Sequence, residues 1–272
     1  MRHPLFPVVL IIPTLLTLSA AEPAPAPWGF RLDVSLGIGR MATDVDYCTE
    51  AKSTVATPLT WTDRSQLSQG SSTGRALRAD LGAIFSERIG QSPLRLLWGA
   101  TCDFSRCNGL SITAQVADPD KSIYSQNGQR FICDISSSDL VGGPTLGLGL
   151  VASPRWRFSL LGGAGYGISD VTYTSGLALV SGDPVGRPQA NHVTGQVRTW
   201  TLRLESAWTP LPGKAVTLGL GWTARRTHAR YVNYKASLVS NPNSKSQEGI
   251  FKEDLEMTAS GIVASLGLAF IW

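Results

Sequence analysis

Residues 261–272 read GIVASLGLAFIW. On an extended backbone Ile262, Ala264, Leu266, Leu268, Phe270 and Trp272 share one face, while Gly261, Ser265, Gly267 and Ala269 hold most of the other. A half-buried strand of a soluble protein alternates apolar with polar, because one of its faces meets water. This stretch alternates large apolar with small. That pattern suits a wall with hydrocarbon outside and a crowded, narrow barrel interior within.

Seven further segments alternate in the same way, at 28–41, 74–86, 94–104, 140–152, 156–168, 193–208 and 216–234, and the last runs over 255–272. In the first, Phe30, Leu32, Val34, Leu36 and Ile38 oppose Arg31, Asp33, Ser35, Gly37 and Gly39. Within 255–272, Leu255 and Met257 are out of phase with Ile262 onward, which predicts a bulge near 259–261. The connections alternate long and short: 42–73, 87–93, 105–138, 153–155, 174–192, 209–215 and 237–253. Membrane barrels have this habit, with long extracellular loops, short periplasmic turns and both termini inside. Turn-forming residues fill the short connections, as in Gln91-Ser92-Pro93, Ser153-Pro154-Arg155 and Pro210-Leu211-Pro212-Gly213. The fold expected is therefore all-β, a transmembrane antiparallel up-and-down β-barrel of eight strands. A ten-stranded alternative takes 110–117 and 130–135 as one more hairpin. These segments are short and polar for spans, and read better as strand portions raised above the membrane.

Aromatic residues gather at the strand ends. Trp28, Phe85, Trp156, Phe158, Trp208, Phe270 and Trp272 fall at the periplasmic side, and Tyr166, Trp200 and Trp222 towards the outer rim. Indole and phenol rings favour headgroup depth, so two girdles follow. Upstream, residues 1–21 have the positive start, the proline-broken apolar run and the small Ser19-Ala20-Ala21 of a secretory signal peptide. Residues 22–27 (EPAPAP) form a proline-rich lead-in, and 28–272 the barrel. Composition agrees: 28 glycines, 16% charged residues, and no later apolar run long enough for a helical span. The formal charge of +4 is mild and unclustered, which gives no reason to expect nucleic-acid binding.

Charged residues sit on the face opposite the apolar one: Arg31, Asp33, Arg78, Asp80, Arg95, Asp103, Arg157, Arg203, Glu205 and Arg225. An eight-stranded barrel is just wide enough for side chains to fill it. Charges there must pair, since an isolated buried charge is costly. They are expected to form a salt-bridge network across the lumen. Cys48, Cys102, Cys107 and Cys133 make an even set in an exported chain, which suggests two disulfides of undetermined pairing near the outer loops. No histidine lies near Cys102 and Cys107, so the spacing does not suggest a metal site. The glycines at 162, 163, 165 and 167 lie in a strand with no helix after them, so they are no nucleotide loop and no cofactor is expected. They are expected to leave space for arginines of facing strands.

The architecture, together with the terminus carrying Leu266, Leu268, Phe270 and Trp272, resembles small outer-membrane β-barrel proteins of Gram-negative bacteria, of the OmpA-like membrane-domain or opacity-type kind. The resemblance covers about residues 28–272. It implies outer-membrane location, contact with lipid and lipopolysaccharide, and handling by periplasmic chaperones and the barrel-insertion machinery. It departs from the larger members, since no peptidoglycan-binding domain is expected after the barrel, and from many barrels in its cysteines. Three functions fit such a chain. One is a structural or surface-interaction barrel with ordered extracellular loops and a lumen closed by charges. Another is a narrow channel for small or apolar solutes. The third, a lipid-modifying enzyme, lacks support. Lipid A deacylases place His and Ser two apart on one strand face, whereas His192 is followed at that spacing by Thr194 and His228 by Arg230. The chain is therefore read as non-enzymatic.

The terminal strand generates one prediction. Removing residues 270–272 should leave the protein in the periplasm, where proteases degrade it. Fractionation and immunoblotting check this, and normal outer-membrane yield of the truncated chain would refute an assembly role for Phe270 and Trp272.

Overall fold

The fold follows from a main-chain constraint. In lipid each N–H and C=O needs a partner within the protein, and a sheet meets that demand only by closing on itself. The computed structural model describes residues 29–53, 64–110, 115–116, 128–179, 184–238 and 247–272. Its strands are β1 (Phe30–Ser53), β2 (Arg64–Arg88), β3 (Leu94–Leu110), β4 (Gln115–Val116), β5 (Gly128–Val151), β6 (Trp156–Leu179), β7 (Pro184–Leu211), β8 (Lys214–Leu238) and β9 (Gln247–Ile271). Eight of them form an antiparallel ring in which each strand pairs with its chain neighbour and β1 pairs with both β2 and β9. The two-residue β4 lies outside the ring against Ser68 and Gln69 of β2. An eight-stranded barrel is thus the observed fold, and 110–117 with 130–135 adds no membrane-crossing hairpin. Residues 1–28, with the expected signal peptide, the lead-in and Trp28, lie outside the described residues.

The register sets the shape. Paired residues run from Arg31 through Ile84, Gly99, Thr145, Gly163, Thr201, Thr223 and Gly261, and the path returns to β1 at Met41. The stagger is ten residues, from 31 to 41. With roughly 4.8 Å between strands and about 3.3 Å per residue, this requires a tilt of about 40° and a backbone radius of about 8 Å. Such a cylinder has room for side chains and little else.

Alternation holds along all eight strands. The outward face of β1 carries Val34, Leu36 and Ile38, and the inward face carries Arg31, Asp33 and Ser35. On β9, Leu266, Leu268 and Trp272 face outward while Val263 and Ala269 are buried inside. The lower aromatic girdle is a row of ring contacts. Phe30 lies 5.2 Å from Phe85 and 5.6 Å from Trp272, Phe85 stacks on Trp98 at 4.5 Å, and Trp156 lies 6.5 Å from Trp208. Tyr166, Trp200 and Trp222 are exposed towards the other rim. Between these levels the outward face of β1 is apolar over 30–38, about 23 Å of barrel height at this tilt. The exterior is that of an outer-membrane barrel.

Two expectations need correction. The strands run far beyond the stretches assigned from the sequence: β1 reaches Ser53, β2 begins at Arg64, β6 ends at Leu179 and β9 begins at Gln247. Much of 42–73, 105–138, 174–192 and 237–253 is therefore barrel wall rather than loop. Where side chains are described, outward positions such as Asp44, Asp46, Arg106 and Asn108 are polar, yet the ladder is continuous from Ala42↔Thr73 to Ala51↔Arg64. Their inward face supplies apolar Val45, Tyr47, Val171, Tyr173, Leu255 and Met257. The bulge near 259–261 is absent, since β9 stays in register with β1 and β8 throughout that stretch. Leu255 and Met257 point inward in phase with Ala259 and Val263. What changes along β9 is the polarity of the lumen, not the phase of the strand.

Close strand approach requires glycine at particular inward positions. A Cβ on Gly261 would lie 1.9 Å from the Arg40 carbonyl oxygen and 2.8 Å from Met41 Cα, and one on Gly167 would lie 1.9 Å from the Leu140 carbonyl oxygen. The glycines of β6 therefore accommodate backbone, threonines and Val141, and arginine lies beside glycine on other strands, as Arg203 against Gly219 and Gly221. Gly261→Val should force the wall to shift, at a cost of about 1–3 kcal/mol. Urea unfolding followed by the gel-mobility difference between folded and unfolded barrel should show it, with Thr258→Val, on the exposed face, unchanged.

Candidate functional site

The lumen is where the inward alternation places chemistry. All ten charged residues expected there face inward. Arg95 and Arg157 are buried on β3 and β6, at the short-turn end of the barrel. Above them Arg31 bridges Asp33 at 2.6 Å and Glu205 at 2.8 Å, joining β1 to β7 across the interior. Glu205 also accepts from Arg203 at 3.3 Å and from the Ser159 hydroxyl at 3.4 Å. Arg203 reaches Asp80 at 3.6 Å, and Asp80 receives Arg78 at 2.6 Å and the Ser35 hydroxyl at 3.1 Å. Arg78 further contacts Asp103 and donates to Thr223 at 3.0 Å. One connected ionic chain thus runs from Arg31 to Asp103.

Arg225 forms a separate, higher node. It pairs with Asp139, which is 0% exposed, and donates to Ser137 at 3.2 Å. Ser169 donates to the same carboxylate. Beyond this node the interior becomes apolar, with Val45, Cys107, Ile135, Val171, Val193, Leu255 and Met257 packed together. At its upper edge the hydroxyls of Tyr47 and Tyr173 both donate to the buried Glu253, the latter at 2.7 Å, with the two rings 6.3 Å apart.

Asp139, Glu253, Tyr47 and Tyr173 escaped the sequence reading because they fell in or beside segments taken as loops. Their signal is parity. Asp139 is in phase with the inward Val141 and Thr145, and Glu253 with Leu255 and Met257. Cavities between the charged layers are small. One of about 30 Å³ is bordered by Arg78, Asp80, Arg203 and Thr223, and another of about 10 Å³ by Arg78, Asp103, Thr199 and Thr201. Spaces of this size hold one or two waters.

The cysteines do not match the expected arrangement. Cys102 and Cys107 carry free thiols. They stand five residues apart on β3 and so face opposite sides of the wall. Cys102 lies exposed on the lipid-facing side between Ala100 and Phe104, and Cys107 is buried in the apolar interior. A strand cannot bring two such residues to disulfide distance. Cys48 lies on the outer face of β1 beyond the apolar band, and the side chain of Cys133 lies outside the described residues. Leu266, Leu268, Phe270 and Trp272 line the outward face of β9, which closes the ring through hydrogen bonds between Trp272 and both Gly29 and Phe30. On the exterior, His192 lies 2.6 Å from Asp170, and Asp254 receives Arg230 at 2.6 Å.

Among solved structures the chain is similar to Neisserial surface protein A, at 10% identity over 86% of this chain and 97% of that one, with a TM-score of 0.30. It is also similar to Ail, the attachment invasion locus protein of Yersinia pestis, at 12% identity over 85% and 97%, with a TM-score of 0.21. A third is the CymD monoaromatic hydrocarbon channel, at 11% identity over 90% and 89%, with a TM-score of 0.24. No protein-family model and no curated protein sequence matches the chain. The barrel assignment rests on the strand register and the apolar band.

The upper ionic node generates a test of the lumen. Arg225→Met leaves the Asp139 carboxylate buried without its cation, and should destabilise the barrel by about 3–5 kcal/mol. Arg225→Met combined with Asp139→Leu should recover much of that loss, because both charges are gone. Denaturant unfolding followed by tryptophan fluorescence measures both variants, and equal losses in the two would show that the pair is not coupled.

Proposed function

We propose that this chain is an outer-membrane barrel with a closed lumen, acting at the cell surface through the wall raised above the lipid. The observation that carries the reading is the layering of the interior. Ion pairs join facing strands from Arg31 to Asp103, and Arg225 with Asp139 adds another node. Above it an apolar layer is capped by Tyr47, Tyr173 and Glu253. A solute path would have to break several buried charge pairs and then cross a packed apolar layer. Both steps are costly.

The length of the wall supports the second half of the proposal. At about 40° of tilt the 24 residues of β1 rise about 60 Å, more than twice the apolar band. The upper half presents Asp44, Asp46, Asp170, Arg230 and Asp254 on a rigid ladder and is packed inside like a small soluble domain. Leu266, Leu268, Phe270 and Trp272, on the outward face of the closing strand, are the residues offered to the insertion machinery. No catalytic role is proposed.

Planar-bilayer recordings of the refolded protein test the closed lumen. The expected trace has no steady ionic current at moderate voltage. Large steady currents from the wild type would overturn the proposal and favour a narrow channel.

A further inference from the structure

The outward face just above the apolar band has a composition that the barrel itself does not require. On β1, β2 and β3 the first charged residue above the apolar run is an arginine: Arg40, Arg75 and Arg106, all exposed. Directly beneath them lie Ile38, Leu77 and Phe104, which are 69%, 57% and 51% exposed. The register puts Arg40 opposite Arg75, and Arg75 opposite Asn108, whose side-chain oxygen accepts from Arg106 Nε at 3.1 Å. Cross-strand partners lie about 5 Å apart and diagonal neighbours about 7–8 Å apart, so three guanidinium groups converge on one patch.

Like charges directly opposed on a sheet are destabilising unless something neutralises them. Across the barrel, Arg198 opposes Arg226 in the same way, and there Glu256 on β9 pairs with Arg226. No such carboxylate serves the β1–β2 pair. Among the described residues neither Arg40 nor Arg75 has an ion-pair partner, and the next outward acids on β1, Asp44 and Asp46, stand at least four residues higher, about 13 Å along the strand.

We propose that Arg40, Arg75 and Arg106 form a binding site for the phosphate groups of lipid A in the outer leaflet. The proposal rests on the outer-membrane reading above and names one ligand of that surface. A phosphomonoester carries up to two negative charges and three terminal oxygens, and arginine forks bind such groups bidentately. The depth is right: the phosphates of lipid A sit at the polar boundary while its acyl chains run down past Ile38, Leu77 and Phe104. The ligand supplies the anion that the sheet omits.

The test uses full-length mature protein folded in detergent and titrated with bisphosphorylated lipid A, with bound lipid counted by native mass spectrometry. Dephosphorylated lipid A should bind the wild type at least tenfold more weakly, and the folded Arg40→Gln/Arg75→Gln variant should show a similar loss towards the bisphosphorylated form. Arg40→Lys/Arg75→Lys, which keeps the charge and loses the forks, should fall between. Equal binding of phosphorylated and dephosphorylated lipid A by the wild type would overturn the site, and needs no variant to fold. So would wild-type affinity in the folded glutamine variant. Inorganic phosphate or phosphatidylglycerol binding as tightly as lipid A would likewise defeat the assignment. Failure of the wild type to insert into vesicles would instead strike the membrane reading.

Discussion

Closure of the hydrogen-bonded ladder between β1 and β9 is the constraint on which everything else depends. Each strand between them has a neighbour on both sides, so those two alone would expose open edges if the ring did not close. In hydrocarbon an unpaired N–H or C=O costs several kcal/mol, and an edge strand carries a row of them. The pairing from Arg31↔Ile271 up to Ser53↔Gly249 removes both edges together. Closing eight strands with a stagger of ten residues then fixes tilt and radius. No comparable freedom remains in the barrel.

A radius of about 8 Å dictates the interior. A narrower cylinder could not hold arginines, and a much wider one would leave them hydrated and their pairing optional. At this width a guanidinium from one wall meets a carboxylate from the opposite one, as Arg31 meets Glu205 and Arg225 meets Asp139. The carboxylates are shared: Glu205 serves two arginines, and Asp80 serves two together with a serine. Sharing spreads the desolvation cost over several hydrogen bonds, the condition under which buried charges are tolerated.

Beyond the lipid the same wall obeys a different rule. Its outer face meets water and can be polar, so the interior must hold the strands together as a core does. The inward face accordingly changes from Arg, Asp and Thr to Val, Ile, Leu and Met near the level of Arg225. One ladder is thus two structures in series, a membrane span with a polar lumen and a projecting barrel with an apolar one. The arginines at 40, 75, 106, 198 and 226 lie on the outside close to this changeover.

The sequence by itself determined that the strands span a membrane and which face of each looks inward; it favoured eight strands over ten, and the closed ring decided between them. Alternation of period two is a local property, and Phe30 to Ile38 or Ile262 to Trp272 display it without reference to any neighbour. For the same reason all ten lumen charges were legible. What only the tertiary structure decided is which strand faces which across the lumen. Residues 43–48 and 253–254 look like loop by composition because their outward positions include Asp44, Asp46 and Asp254, and 171–173 lie beyond the end assigned to β6 from the sequence. They are strand because Val45, Tyr173, Leu255 and Met257 meet one another from β1, β6 and β9. The same holds for Asp139 with Arg225, which meet from β5 and β8. These cross-lumen meetings depend on a stagger of ten residues accumulated around a closed ring, and no single strand records it.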